Sequence, residues 1–135
     1  MGVSKNKPIN SLSADWYTDD RFLKKEINKI FFKSWLLIGP EASIPNHGDC
    51  LFQSIVDQPI VCVRQEDNSI KTFFNICRHR AGSFKTMKRN NNYLVCNYHG
   101  WTYSINGKLK SPRGFYKSKI SLKELCLKNI NTKVW

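Results

Sequence analysis

Cys77-Arg78-His79 and, after 16 intervening residues, Cys96-Asn97-Tyr98-His99 hold two of the chain's three histidines, each within three positions of a cysteine. Thiolate and imidazole are the two side chains that bind soft and borderline metals well, so the two pairs offer four donors of the right chemistry. A single Cys beside a His is ordinarily structural. Two such pairs, each opening a loop after a strand-like segment, are not explained that way.

The surrounding texture is that of short strands. Trp35–Ile38, Cys50–Val56, Ile60–Arg64, Ile70–Ile76, Tyr93–Tyr98 and Thr102–Ile105 are rich in β-branched and aromatic residues and are bounded by Gly, Pro, Asn or Asp. Gln65–Ser69 reads as a polar hairpin turn. Asn106-Gly107 reads as a two-residue type I′ turn joining Tyr103-Ser104-Ile105 to Lys108-Leu109. The spacing predicts an all-β sandwich or barrel of short antiparallel strands. One helix precedes it, capped by Thr18, with Phe22, Leu23, Ile27, Ile30 and Phe31 on one face, ending near Lys33. Residues 1–14 read as a flexible leader and 15–135 as one domain. The alternating end, Asn129 to Trp135, reads as a half-buried strand that stops abruptly, like a cut edge.

With 135 residues and 15.7 kDa the chain suffices for one domain with a core. The longest apolar run, Trp35 to Gly39, is far short of the roughly 20 residues that span a bilayer. The first ten residues carry lysines with no apolar segment after them, unlike a secretory signal. Asn6 stands where a myristoylation site has Ser or Thr. Five cysteines, an odd number, favour a reducing compartment over a disulfide framework, and so a cytoplasmic location.

C-x-H followed by C-x2-H is the order in which two cysteines hold one iron of a [2Fe–2S] cluster and two histidines the other. Cys2His2 is also a zinc set, although zinc fingers usually group Cys with Cys and His with His. The stretches Asn75-Ile76-Cys77-Arg78-His79-Arg80-Ala81-Gly82 and Cys96-Asn97-Tyr98-His99-Gly100-Trp101-Thr102-Tyr103 resemble the two cluster-binding loops of a Rieske iron–sulfur domain. More narrowly, the chain resembles the N-terminal Rieske domain of aromatic-ring-hydroxylating dioxygenase α subunits. Lys33-Ser34-Trp35, Gly48-Asp49, Gln58-Pro59-Ile60-Val61 and Asn106-Gly107 extend the likeness over about Asp15 to Trp135.

The resemblance implies a Rieske-type β fold with Cys77 and Cys96 as thiolate ligands of one iron and His79 and His99 as ligands of the other. It implies one cluster per chain, with Gly82 and Gly100 letting backbone amides approach its sulfurs. Gly82 and Tyr98 stand where the respiratory type has extra cysteines, and Trp101 where it has a hydroxyl donor. A potential towards the lower end of the Rieske range, roughly −150 to +300 mV, is therefore expected. The implied role is a relay from a ferredoxin or reductase to a mononuclear iron in a catalytic domain or neighbouring α subunit. That iron has no site in this sequence, where only His47 lies outside the loops, so no catalytic residue is assigned and the chain reads as truncated before the catalytic domain. A free-standing Rieske ferredoxin and a zinc-bound nucleic-acid-binding module are the alternatives. Cys50, Cys62 and Cys126 read as small core residues, His47 as a solvated turn residue, and Trp35, Trp101, Tyr103 and Phe115 as packing.

The net charge is +12, and nine of the ten acids precede Asn68. From Lys71 to Lys119 there are eleven basic residues and no acid. The excess thus surrounds the two loops, where it suits an acidic electron donor and needs neither nucleic acid nor a membrane as partner.

Overall fold

A computed structural model describes residues 11–84, 92–114 and 121–135. The chain divides into two compact units, residues 1–37 and 38–135. In the first, a single turn α1 (Asp15–Thr18) precedes α2 (Asp20–Lys29) and a 3-10 turn, Phe31–Lys33. Asp19, rather than the expected Thr18, caps α2. Its carboxylate accepts from the Arg21 amide at 2.8 Å and pairs with the Arg21 guanidinium at 2.6 Å. Aspartate also suits the positive helix end, while Thr18 closes α1 by donating to the Ala14 carbonyl at 3.2 Å. The segment Trp35–Ile38 forms no strand, and Trp35 is exposed rather than packed. It has a strand's composition but, among the described residues, no paired strand to complete its hydrogen bonds.

Among the described residues, the second unit is β-structure apart from one 3-10 turn, Glu41–Ser43. Its strands are β1 (Cys50–Ile55), β2 (Gln58–Arg64), β3 (Ile70–Phe74), β4 (Tyr93–Val95), β5 (Thr102–Ser104), β6 (Leu109–Ser111) and β7 (Asn129–Ile130). They make an antiparallel sheet ordered β1-β2-β3-β7 and a second ordered β4-β5-β6. The alternating end contributes only Asn129–Ile130, opposite Phe73 and Thr72. Val61, Val63 and Phe73 of the first sheet share one buried cluster with Leu94, Tyr103 and Leu109 of the second, and Cys77, Cys96, Phe84 and Trp101 belong to it too. Gln65 ties the sheets across this core, its Nε2 donating to the Ile105 carbonyl at 2.9 Å. Arg64, nearly buried, donates to Glu41, to the Ile44 carbonyl and to the Asn68 carbonyl, which fixes the segment before β1.

One expected hairpin differs in its turn, and another hairpin was not among those expected. Residues 104–108 do not make a two-residue type I′ turn, because only Gly107 (φ 85) is left-handed. The Gly107 amide bonds to the Ser104 carbonyl at 2.8 Å and the β5–β6 register slips beside it. This is a type I turn followed by a left-handed glycine, the next hairpin solution in the menu. A Cβ on Gly107 would lie 2.5 Å from Phe73 Cε1, so the core also requires glycine there. Conversely, Val56 (φ 49) and Asp57 (φ 60) make a tight two-residue turn between β1 and β2 that carries no glycine.

Candidate metal centre

The first loop follows β3 and the second links β4 to β5, and both fold by one scheme. In the first, the Cys77 amide donates to the Gly82 carbonyl at 2.7 Å and the Ala81 amide to the Cys77 carbonyl at 3.0 Å. In the second, the Cys96 amide donates to the Trp101 carbonyl at 2.8 Å and the Gly100 amide to the Cys96 carbonyl at 2.9 Å. The fifth residue of each loop, Ala81 (φ 53) or Gly100 (φ 71), takes the left-handed conformation that reverses the chain. Asn75 closes the first loop. Its Oδ1 accepts from the Phe84 amide at 2.7 Å and its Nδ2 donates to the Phe84 carbonyl at 3.1 Å. Phe84 then bridges Cys96, which brings the loops together. They touch so closely at Gly82 that a Cβ there would lie 2.9 Å from Cys96 Sγ and 3.0 Å from Tyr98 Cβ.

The four expected donors lie in two pairs, cysteine with cysteine and histidine with histidine. The Cys77 and Cys96 side chains are both buried in the same core cluster, and Cys96 is near enough to push the Cys77 thiol up. The His79 and His99 rings lie 4.8 Å apart, edge to face. Trp101 backs His79 in a parallel stack at 4.7 Å, and Tyr98 stacks on His99 at 3.8 Å. Burial pushes the Cys77 thiol up, while the Tyr103 hydroxyl and the His79 amide oppose that shift. Desolvation, then His99 and Arg80, lower His79, which favours the neutral imidazole that a metal requires. His99 Nδ1 is buried with no hydrogen-bond partner among the described residues. A buried polar atom left so costs about 1–3 kcal/mol unless something else satisfies it.

Tyr103 has a part that its reading as core packing did not foresee. Its hydroxyl lies 3.4 Å from Cys77 Sγ and accepts the Arg78 amide at 3.1 Å, so its own proton is available to a thiolate at that sulfur. The signal was a tyrosine rather than a phenylalanine at a wholly buried strand position, since a buried hydroxyl needs a partner. Among the other cysteines Cys62 is buried and Cys50 packs against the core cluster. Cys50 and Cys126 are half-buried, and desolvation, then Asp49 and Cys62, push the Cys50 thiol up to about 12. His47 is half-buried in its turn. Arg78, Arg80, Lys108, Lys110 and Arg113 are exposed, and a Cβ on Gly100 would lie 3.7 Å from the Arg113 side chain. Lys85, Lys88, Arg89, Lys117, Lys119 and Phe115 lie outside the described residues.

A model described as the Rieske [2Fe-2S] domain matches residues 34–117. The chain belongs to that family. The family's cofactor is a [2Fe–2S] cluster, and this Rieske domain fits it by its own residues: two neighbouring thiols, two adjacent imidazoles and a buried His99 Nδ1 with no partner among the described residues. The chain is 43% identical over 94 residues to biphenyl dioxygenase subunit alpha of Paraburkholderia xenovorans, covering 69% of this chain and 20% of that protein. Choline monooxygenase of Arabidopsis thaliana, a chloroplastic protein, is 33% identical over 123 residues, 90% of this chain and 29% of that one. A solved quaternary ammonium Rieske monooxygenase superposes with TM-score 0.81 at 22% identity, over 88% of this chain and 34% of that one, which shows the shared fold. Naphthalene 1,2-dioxygenase from Rhodococcus sp. gives 0.72 at 28% identity, over 82% of this chain and 26% of that one. The chain thus spans about a fifth of the length of the biphenyl dioxygenase subunits it matches. Among the described residues, no helix is long and apolar enough to cross a membrane.

Proposed function

We propose that Cys77 and Cys96 bind one iron of the cluster and His79 and His99 the other, and that this Rieske domain carries electrons for a ring-hydroxylating oxygenase α subunit. The observation that carries the reading is the two-by-two arrangement, thiol beside thiol and imidazole beside imidazole. A mononuclear zinc site needs its ligands around one point, and among the described residues no three His, Cys, Asp or Glu side chains meet that way.

When bound, the cluster takes up and releases one electron. The residues around it divide the remaining work. Cys77 and Cys96 anchor the core side, and Tyr103 donates to the Cys77 sulfur. The imidazoles, each half-buried, form the side nearer solvent. Arg78, Arg80 and Arg113 put positive charge around that side, which favours an acidic ferredoxin or reductase as donor. The acceptor is a mononuclear iron on two histidines and a carboxylate, in a catalytic domain or neighbouring α subunit, and the working location is the cytoplasm. The domain is taken to run from residue 15 to 135.

Anaerobic reconstitution with iron and sulfide tests this. The expected product has two irons per chain, as the cluster formula requires, the visible bands of a histidine-ligated cluster and a rhombic EPR signal on reduction. Cys96→Ala and His99→Ala should abolish both signatures. A colourless chain holding stoichiometric zinc overturns the reading.

A further inference from the structure

The two imidazoles are held by unequal supports. His79 leans on Trp101, which is 1% exposed, whereas His99 leans on Tyr98, which is 62% exposed. The Tyr98 ring therefore has one face on the imidazole and much of the remainder in solvent. An imidazole's outer torsion is broad and roughly two-fold, so its plane must be fixed by neighbours. No hydrogen bond reaches His99 Nδ1 among the described residues, which leaves the orientation to ring contacts: Tyr98 at 3.8 Å and 27° from parallel, and His79 at 4.8 Å edge-on.

We infer that Tyr98 is a positioning residue for His99: its exposed ring clamps the imidazole plane so that Nδ1 faces the cluster. The inference rests on His99 being a ligand. The stack requires an aromatic ring and makes no use of the tyrosine hydroxyl, so Phe should replace it and Ala should not. Because Tyr98 is exposed, its removal opens no core cavity, and the chain should still fold.

The test uses the full chain reconstituted with iron and sulfide, as wild type, Tyr98→Phe and Tyr98→Ala, compared by far-UV circular dichroism, EPR of the reduced state and redox titration. Tyr98→Phe should keep the wild-type g-values and midpoint. Tyr98→Ala should keep the fold but show broadened g-features, from a spread of His99 orientations, and a shifted midpoint. Unchanged EPR and midpoint in Tyr98→Ala overturn the inference, as does a Phe variant altered as much as Ala. If Tyr98→Ala fails to fold, Tyr98→Leu decides. A folded Leu variant with broadened features supports the clamp, whereas an unchanged or unfolded one refutes it. A wild type without the histidine-ligated signal removes the ligand assignment itself, and the inference falls with it.

Discussion

Tyr103 reaches from β5 to the first loop with a hydroxyl that accepts the Arg78 amide and lies 3.4 Å from Cys77 Sγ, to which it would donate once that sulfur is a metal-bound thiolate. Donation to a thiolate lowers the energy of the more negative, reduced state more than that of the oxidised one. Tyr103→Phe should therefore lower the midpoint potential by about 60 mV, the one-electron equivalent of a tenfold change in equilibrium. The cluster should be retained, and a redox titration followed by circular dichroism reads the shift; an unchanged midpoint would place the hydroxyl's value in structure alone. The four residues proposed as metal donors stand out in the sequence because their chemistry is carried by residue type and spacing, Cys77 to His79 and Cys96 to His99. Tyr103 does not, because what matters is which sulfur its hydroxyl meets 26 positions away.

Elements show the same division between local and distant causes. Gln65–Ser69 turned where its polar residues said it would, with the Gln65 amide on the Ser69 carbonyl at 2.8 Å. Asn106-Gly107 marked a hairpin correctly, yet register and the Phe73 ring selected the wider turn. Trp35–Ile38 failed as a strand because strand composition supplies no partner. The Asn75 clasp sits between these cases: asparagine announces a turn, while its grip on both backbone groups of Phe84 depends on the loop being closed. Asn75→Ala should cost about 1–3 kcal/mol for each backbone group it strands, read as a lower urea midpoint of the apo chain. Asn75→Asp keeps the acceptor but lacks the donor, so it should fall between Ala and wild type. An Ala variant as stable as wild type would show that the loop closes without the clasp.

At the scale of the whole molecule, the charge of +12 is concentrated around the loops by a run of chain that contains no acid. Composition shows this at once, although composition alone cannot tell that Arg78, Arg80 and Arg113 lie exposed beside the loops. Reduction of the reconstituted domain by an acidic ferredoxin should slow as ionic strength rises from about 0.01 to 0.15 M, over which the screening length shrinks from about 30 to 8 Å. Stopped-flow rates at several salt concentrations measure it. A flat profile would remove electrostatic docking from the account.

The two loops hang from different sheets, the first leaving β3 and the second returning within β4-β5. With the ligation proposed above, four ligands are presented together only after the sheets have closed on their common core. Iron loading then acts as proofreading for folding: a chain with its sheets undocked offers one cysteine and one histidine at a time, too few to retain a cluster. Once in place, the cluster would be a rivet between sheets, and its loss would remove that link.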